Sequence, residues 1–247
     1  RHAEQGAFVK TLILAAGRGT RISRYLSGNP KCTVDIGEGK CLIQYTVDLL
    51  KSRGIRDIGI VLGYKSQVIR DVLEGREVSF FYNPFYDVTN SIASAWFARD
   101  FLEGDDLLIM NGDVYLEDRL LDRILAEKKS PVMFADESRK ETADYKFFYE
   151  DGILKKYGKE LEGSDITGEY IGIGRFARAF LPEFCGRMEA MINRQEHSVW
   201  WENVIYGLTK EMPVYVEDVD GHFWAEVDYI EDYERILEHR GVEKIVR

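Results

Sequence analysis

Leu12-Ile-Leu-Ala-Ala-Gly-Arg-Gly-Thr-Arg21, followed a few residues later by Asn29-Pro-Lys31, is the stretch on which the reading of the fold turns. Its first part completes a mainly apolar run, Val9–Leu14, of the kind that forms a buried parallel strand. The run empties into a turn with two glycines, Gly17 and Gly19. Such a turn exposes consecutive backbone amides, and these can wrap a triphosphate. Arg18 and Arg21 bring charge for β- and γ-phosphates, and Lys31 can reach an α-phosphate as a mobile point charge. The string is not a Walker A loop, which closes on Gly-Lys-Ser/Thr, and it is not the G-x-G-x-x-G of a dinucleotide-binding fold.

Outward from this segment, short apolar runs alternate with helical patterns. Leu42, Ile43, Thr46, Leu49 and Leu50 share one helical face, and Ile55–Leu62 reads as a second strand closed by Gly63. Val68, Ile69, Val72 and Leu73 form a short helical stripe before a strand at Val78–Tyr82. A helix is predicted over Asn90–Leu102, a strand over Leu107–Met110, a helix over Leu120–Ala126 and a strand over Val132–Ala135. Alternation of this kind predicts a parallel sheet with helices on both faces, with ligands at the edge where the strands end. After Asp136 the rhythm changes. Tyr145–Tyr149 and Ile153–Tyr157 flank Glu150-Asp151-Gly152 as a hairpin, and Glu169–Phe176 is a further strand. Helical stripes at Phe180/Phe184/Met188/Met191 and Trp200/Val204/Ile205/Leu208 follow, then strands at Pro213–Glu217 and Phe223–Val227 and a last helix at Ile230–Leu237. The expectation is a single domain over 1–247, with a nucleotide-binding half at 1–135 and an acceptor-binding half and lid at 136–247.

The bulk properties narrow the function classes. A formal net charge of −10 over 247 residues argues against a general nucleic-acid binder, which needs excess cations to displace counterions. It leaves anionic small ligands open, since a few local cations and backbone amides suffice for those. No apolar run is long enough to cross a bilayer, so no membrane insertion is expected. Arg1–Ala7 is polar and reads as a tag, a linker or a frayed terminus. Cys32, Cys41 and Cys185 are odd in number and follow no metal-ligand spacing, which points to free thiols and a cytoplasmic setting. Nothing in the sequence speaks to oligomeric state.

Two carboxylates stand out. Asp113, in Ile-Met-Asn-Gly-Asp-Val, ends a predicted strand, where a ligand for a magnesium ion bridging phosphate oxygens usually sits. By itself Asn111-Gly112-Asp113 reads equally well as a turn. Asp228, in Ala-Glu-Val-Asp, lies between a short strand and the last helix, and alone would be a helix cap.

Together these residues carry a resemblance. The string from Leu14 through Lys31 resembles the L-A-A-G-x-G-[ST]-R…P-K signature of the nucleotide-sugar pyrophosphorylase and cytidylyltransferase superfamily. Ile58-Gly-Ile-Val-Leu-Gly-Tyr64, Asn83-Pro-Phe-Tyr, Thr89-Asn90 through Ser94, Trp200-Trp-Glu-Asn203, Pro213-Val-Tyr-Val-Glu and Glu226-Val-Asp228 extend it over nearly the whole chain. In these strings the chain is similar to the small bacterial cytidylyltransferases that act on phosphocholine and on 2-aminoethylphosphonate. The resemblance implies an α/β fold: a Rossmann-like mixed, mainly parallel sheet with helices on both faces, of the nucleotide-diphospho-sugar transferase type. It implies a nucleotidyltransferase using CTP and Mg²⁺ to act on a small phosphonate or phosphate acceptor. Asp113 and Asp228 would hold the metal, and Lys31, Lys146, Arg18 and Arg21 would meet the phosphates. Leu14, Ala15, Ala16, Gly17, Gly19, Asn90 and Ser94 would hold the nucleotide.

At the acceptor end the sequence offers Asp144, Glu169, Glu202 and Glu226, interleaved with Tyr170, Trp201 and Trp224. A quaternary ammonium wants aromatic faces backed by carboxylates, whereas a primary amine wants carboxylates it can hydrogen-bond. Asp144-Tyr145-Lys146 falls where the phosphocholine enzymes that the chain resembles place an aromatic in Asn-Glu-Trp-Phe. A lysine there would repel a trimethylammonium head and pair with a phosphonate, which favours 2-aminoethylphosphonate. Phosphocholine, phosphoethanolamine, inositol phosphate and sugar phosphates remain alternatives, as does a nucleotide sensor without catalysis. Of the adjacent Trp200 and Trp201, at least one must be a core residue, because neighbouring helix positions face different ways.

Overall fold

A computed structural model describes residues 8–243, so the reading of Arg1–Ala7 falls outside the described residues. The strands are β1 (Val9–Ala15), β2 (Ile58–Leu62), β3 (Ser79–Tyr82), β4 (Asp106–Asn111), β5 (Val114–Leu116), β6 (Val132–Asp136), β7 (Lys146–Glu150), β8 (Ile153–Gly158), β9 (Gly168–Phe176), β10 (Tyr215–Asp218) and β11 (Trp224–Glu226). The helices are α1 (Leu42–Ser52), α2 (Ser66–Val72), α3 (Ser91–Phe97), α4 (Arg99–Leu102), α5 (Asp118–Ala126), α6 (Leu181–Asn193), α7 (Glu202–Tyr206) and α8 (Ile230–Arg240). Among the described residues no helix is long and apolar enough to cross a membrane.

Nine strands form one sheet in the order β3-β2-β1-β4-β9-β6-β10-β8-β7. β1 pairs in parallel with β2 and β4, and β6 with β10, while β9 runs antiparallel between β4 and β6. The expected mixed, mainly parallel sheet is present, with one reversed strand, β9, near its centre and another, β8, between β10 and β7. β9 is buried along all nine residues, as a strand covered on both faces should be. Its first residues also pair with β7, so the second half of the sheet curls back on itself.

The period-two alternation of β1 shows why the sheet has two apolar faces. Leu12 and Leu14 pack on one side with α3, α6 and α7, through residues such as Ile92, Phe184 and Val204. Ile13 packs on the other with Ile43 and Val47 of α1, Ile69 of α2 and Leu120 of α5. A third, smaller cluster joins Ile22, Ile36, Ala225 and Val227 to Ile236 of α8.

Three local outcomes differ from expectation. The helix predicted over Asn90–Leu102 is two helices, because fully buried Ala98 leaves the helical region (φ −101°, ψ 14°) and its amide bonds Ala95 three residues back. β5 is not visible in the sequence pattern, being only three residues long. β11 joins β5 in a separate two-stranded ribbon rather than the main sheet.

Candidate active site

The parallel strands all end along one edge. There β1 delivers Leu14–Ala16, β3 leads into Asn83, and β4 leads into Gly112 and Asp113, all lining one cavity of about 390 Å³. Gly112 is required by close approach: a Cβ there would lie 2.8 Å from the Leu14 carbonyl oxygen, which accepts the Gly112 amide at 2.8 Å. Gly19 has φ +63°, and a Cβ would press on the Lys31 stem at 2.5 Å, so the glycine lets the loop fold over Lys31. Of the predicted nucleotide residues, Leu14, Ala15, Ala16, Gly17, Gly19, Asn90 and Ser94 all line the cavity.

Next to them stands Asn83, which the sequence reading had not assigned. It is buried, and its amide donates to Thr89 Oγ1 at 3.1 Å and Ser94 Oγ at 3.0 Å. Its own Oδ1 accepts the Phe85 amide at 3.0 Å. Asn83 thereby ties the end of β3 to α3 and orients Ser94. The Asn-Pro pair after a strand was the signal available for it.

The two predicted metal carboxylates lie side by side, and the β5/β11 register is the reason. Val114 pairs with Glu226, and the Val227 amide donates to the Asp113 carbonyl at 2.9 Å. Asp113 and Asp228 therefore emerge from the same end of one ribbon. Lys31 Nζ lies 2.8 Å from Asp113 Oδ2 and 3.8 Å from Asp228 Oδ1, and Arg21 pairs with the other oxygen of Asp228. Burial works against the charge of Lys31, but Asp113, with Asp228 and Glu226, more than offsets it and holds the ammonium's pKa above its ordinary value. Asp228 raises that of Arg21 in the same sense. Two carboxylates converging on one cation are a hard-oxygen donor set that fits Mg²⁺. Among the described residues no cluster of three or more His, Cys, Asp or Glu side chains forms a metal cage. Two carboxylates suit an ion that completes its shell with phosphate oxygens and water.

The opposite end of the cavity is acidic and aromatic. Glu202, 5% exposed, accepts hydrogen bonds on Oε2 from Asn111 Nδ2 (3.1 Å) and the Tyr170 hydroxyl (2.9 Å). Burial pushes its carboxyl up to about 7; the Asn111 and Tyr170 bonds pull it down, and Asp113 adds to the rise. Glu226 is raised well above the carboxylate range by burial and by Asp113. Its carboxylate makes no hydrogen bond among the described residues. Tyr145, Trp200 and Tyr206 form an aromatic wall, with Tyr145 edge-on to Trp200 at 5.4 Å and stacked on Tyr206 at 5.9 Å. Burial pushes the Tyr145 hydroxyl up to about 12, so it stays neutral at physiological pH.

Five predicted residues stand apart from the cavity, among them Trp224, which is buried and donates Nε1 to Asp136 Oδ2 at 2.7 Å. Lys146 donates its ammonium to the Lys159 carbonyl (2.7 Å), from the face of β7 opposite buried Phe147. The cation that lines this end of the cavity is Lys159, 3.8 Å from Asp144. Trp201 is fully buried and donates Nε1 to Asn111 Oδ1 at 3.0 Å, packing edge-on to Phe176, so the adjacent Trp200 supplies the wall. Glu169 is spent on Arg139 and on the Asp144 amide. Arg18 lies over the Tyr64 ring, 5.2 Å from its centroid, outside the lining. Asp144, Tyr170, Glu202 and Glu226 do line the cavity, as do Arg21, Lys31, Asp113 and Asp228.

Comparison with known proteins fits this geometry. Residues 11–246 match the MobA-like NTP transferase domain. The chain is 27% identical to a CTP:phosphoglutamine cytidylyltransferase of Campylobacter jejuni, over 93% of this chain and 100% of that protein. It is also 27% identical to a choline-phosphate cytidylyltransferase of Streptococcus pneumoniae, over 93% and 97% of the two chains. In fold it resembles the solved CTP:phosphocholine cytidylyltransferase of S. pneumoniae, with a TM-score of 0.75 and 23% identity over 94% of this chain and 99% of that one. The protein is a nucleotidyltransferase and belongs to the family of MobA-like NTP transferase domains.

Proposed function

We propose that this protein transfers CMP from CTP to 2-aminoethylphosphonate, releasing pyrophosphate, with Mg²⁺ as cofactor. The choice of CTP is supported by the two full-length relatives, both of which are cytidylyltransferases. The half at 1–135 holds the nucleotide, and the half at 136–247 holds the acceptor and covers it. The three cysteines are free thiols, in keeping with a cytoplasmic enzyme.

One observation carries the choice of acceptor. Glu202 and Glu226 face the cavity, both raised by burial, and Glu226 lacks a hydrogen-bond donor. A primary ammonium brings three donors and a positive charge to such a pair, whereas a trimethylammonium brings no donor. Lys146 does not bear on the acceptor, since its ammonium bonds the Lys159 carbonyl and does not line the cavity. Lys159 is the cation available to meet the acid end of the acceptor or to close over it. A specific observation also favours phosphocholine: the wall of Tyr145, Trp200 and Tyr206 offers the faces a quaternary ammonium uses.

The chemistry asked of the protein is positioning and charge stabilisation. An ionised phosphonate oxygen is already a nucleophile, so no strong general base is needed for in-line attack on the α-phosphorus. Lys31 reaches the developing charge on the α-phosphate, and Arg21 meets the leaving pyrophosphate. Both cations already sit at the phosphate end, held there by Asp113 and Asp228. These two carboxylates would hold Mg²⁺, which when bound neutralises triphosphate charge and orients its oxygens. Buried Asn83 and the ends of β1 and β4 keep the nucleotide pocket rigid.

The test is pyrophosphate release from CTP and Mg²⁺ with 2-aminoethylphosphonate, phosphoethanolamine, phosphocholine and glucose 1-phosphate in parallel. The proposal expects the highest kcat/KM with aminoethylphosphonate. Preference for phosphocholine would transfer the assignment to the aromatic wall. CTP binding without turnover on any acceptor would refute both.

A further inference from the structure

The nine residues at 137–145 leave the sheet at the end of β6 and re-enter it at β7, and they end in Asp144 and Tyr145, both at the cavity. One residue faces both crossing points. Glu169 of β9 is the cross-strand partner of Asp136, the last residue before the loop, and of Lys146, the first after it. From there its carboxylate reaches up into the loop. Oε1 accepts Arg139 Nε at 2.7 Å, and Oε2 accepts the backbone amide of Asp144. Two further bonds pin the loop's base: the Glu137 amide donates to Asp218 Oδ1 at 2.9 Å, and the Ser138 hydroxyl to Asp136 Oδ1 at 2.6 Å. Tyr145 O accepts the Tyr170 amide at 2.9 Å. Between these ends, residues 140–142 are largely exposed.

A carboxylate only 5% exposed is costly to keep ionised, and a well-packed apolar side chain would satisfy the core at that position without the cost. What the carboxylate adds is directional: it fixes one residue near the loop's start and one at its end. The second of these carries an acceptor-facing carboxylate, with Tyr145 as its chain neighbour in the aromatic wall.

We infer that Glu169 is a positioning residue for the acceptor: it clamps the 137–145 strap so that Asp144 and Tyr145 stand in the cavity. The inference rests on the reading of this end of the cavity as the acceptor site. Glu169 touches no substrate and works through Arg139 and the Asp144 amide.

Glu169→Ala removes both holds. The acceptor KM should rise roughly ten- to hundred-fold, the effect of losing charge-assisted hydrogen bonds, while the KM for CTP stays within about two-fold. Glu169→Gln keeps an oxygen for the Asp144 amide but turns its own donors on Arg139, so it should fall between the two. Hydrogen exchange of residues 137–145 is measured on the same proteins, below their melting range, and should quicken in the order wild type, Gln, Ala. Wild-type turnover is established first with the panel of acceptors, and the ratio of variant to wild-type acceptor KM then decides for whichever acceptor reacts. Faster exchange in the strap with an unchanged acceptor KM would overturn the inference, as would equal rises in both KM values. No wild-type turnover on any acceptor would remove the reading beneath it as well.

Discussion

Glu202→Gln should make this protein more stable at pH 8 and a poorer enzyme. The side chain is 5% exposed, and burial lifts its carboxyl from an ordinary 4.5 to about 7. A carboxyl raised in the folded state holds its proton more tightly there than in the unfolded chain. The stability that Glu202 contributes is therefore fully present below its unfolded value and is lost as pH climbs through the window from 4.5 to 7. At ~1.4 kcal/mol per tenfold change in proton affinity, the loss over that window is about 3 kcal/mol. Glutamine keeps one oxygen for Asn111 Nδ2 and the Tyr170 hydroxyl and carries no charge to bury, so the loss disappears. Relief of repulsion on Glu226 acts in the same direction. Urea unfolding of both proteins at several pH values between 5 and 8 measures the difference directly. The gap should open in favour of the variant as pH rises. A gap that stays flat across the series would refute the claim that Glu202 is charged at a cost in the folded protein. The functional side runs the other way. An ammonium acceptor, protonated up to about pH 10, pairs only with the ionised carboxylate. Wild-type acceptor KM should fall as pH rises through about 7, and that of the variant should not.

Lys31→Ala should lose roughly a hundred- to thousand-fold in kcat while the protein stays folded, the scale of removing one transition-state charge donor. Freed of the ammonium 2.8 Å away, Asp113 should also bind Mn²⁺ more tightly without nucleotide, as read by electron paramagnetic resonance. Lys146→Ala should leave acceptor KM within about three-fold of wild type, whereas Lys159→Ala should raise it at least ~10-fold; steady-state kinetics with the reactive acceptor distinguishes the two, since only Lys159 lines the cavity. Trp201→Ala should cost ~3–5 kcal/mol in urea unfolding, from cavity formation and the unpaired Asn111 Oδ1, while Trp200→Ala should cost much less, being 38% exposed, and act on acceptor KM.

Much of the nucleotide end could be read from local sequence because it is built from local sequence. One strand, its turn and a lysine ten residues beyond Arg21 line that end of the cavity, and glycines at 17 and 19 mark the turn. The strands of the first half announce themselves by apolar runs, and the alternation of Leu12, Ile13 and Leu14 between two faces follows from the two-residue period of a strand. Element type thus rests on interactions between near neighbours, which a sequence displays.

What only the tertiary structure decided depends on pairings between distant segments. Asp113 and Asp228 are 115 residues apart in sequence and come together because β5, three residues long, pairs with β11. A strand that short has no period to detect. The place of β9 between β4 and β6 is likewise a matter of long-range register, and that register turns Glu169 from a cavity residue into the clamp of a loop. Lys146 and Lys159 flank the same hairpin, and which of them meets the cavity depends on how the sheet curls. Trp200 and Trp201 are adjacent and chemically identical, so no local property separates them. Packing against Phe176 and a bond to Asn111 bury one, and the other is left to line the cavity.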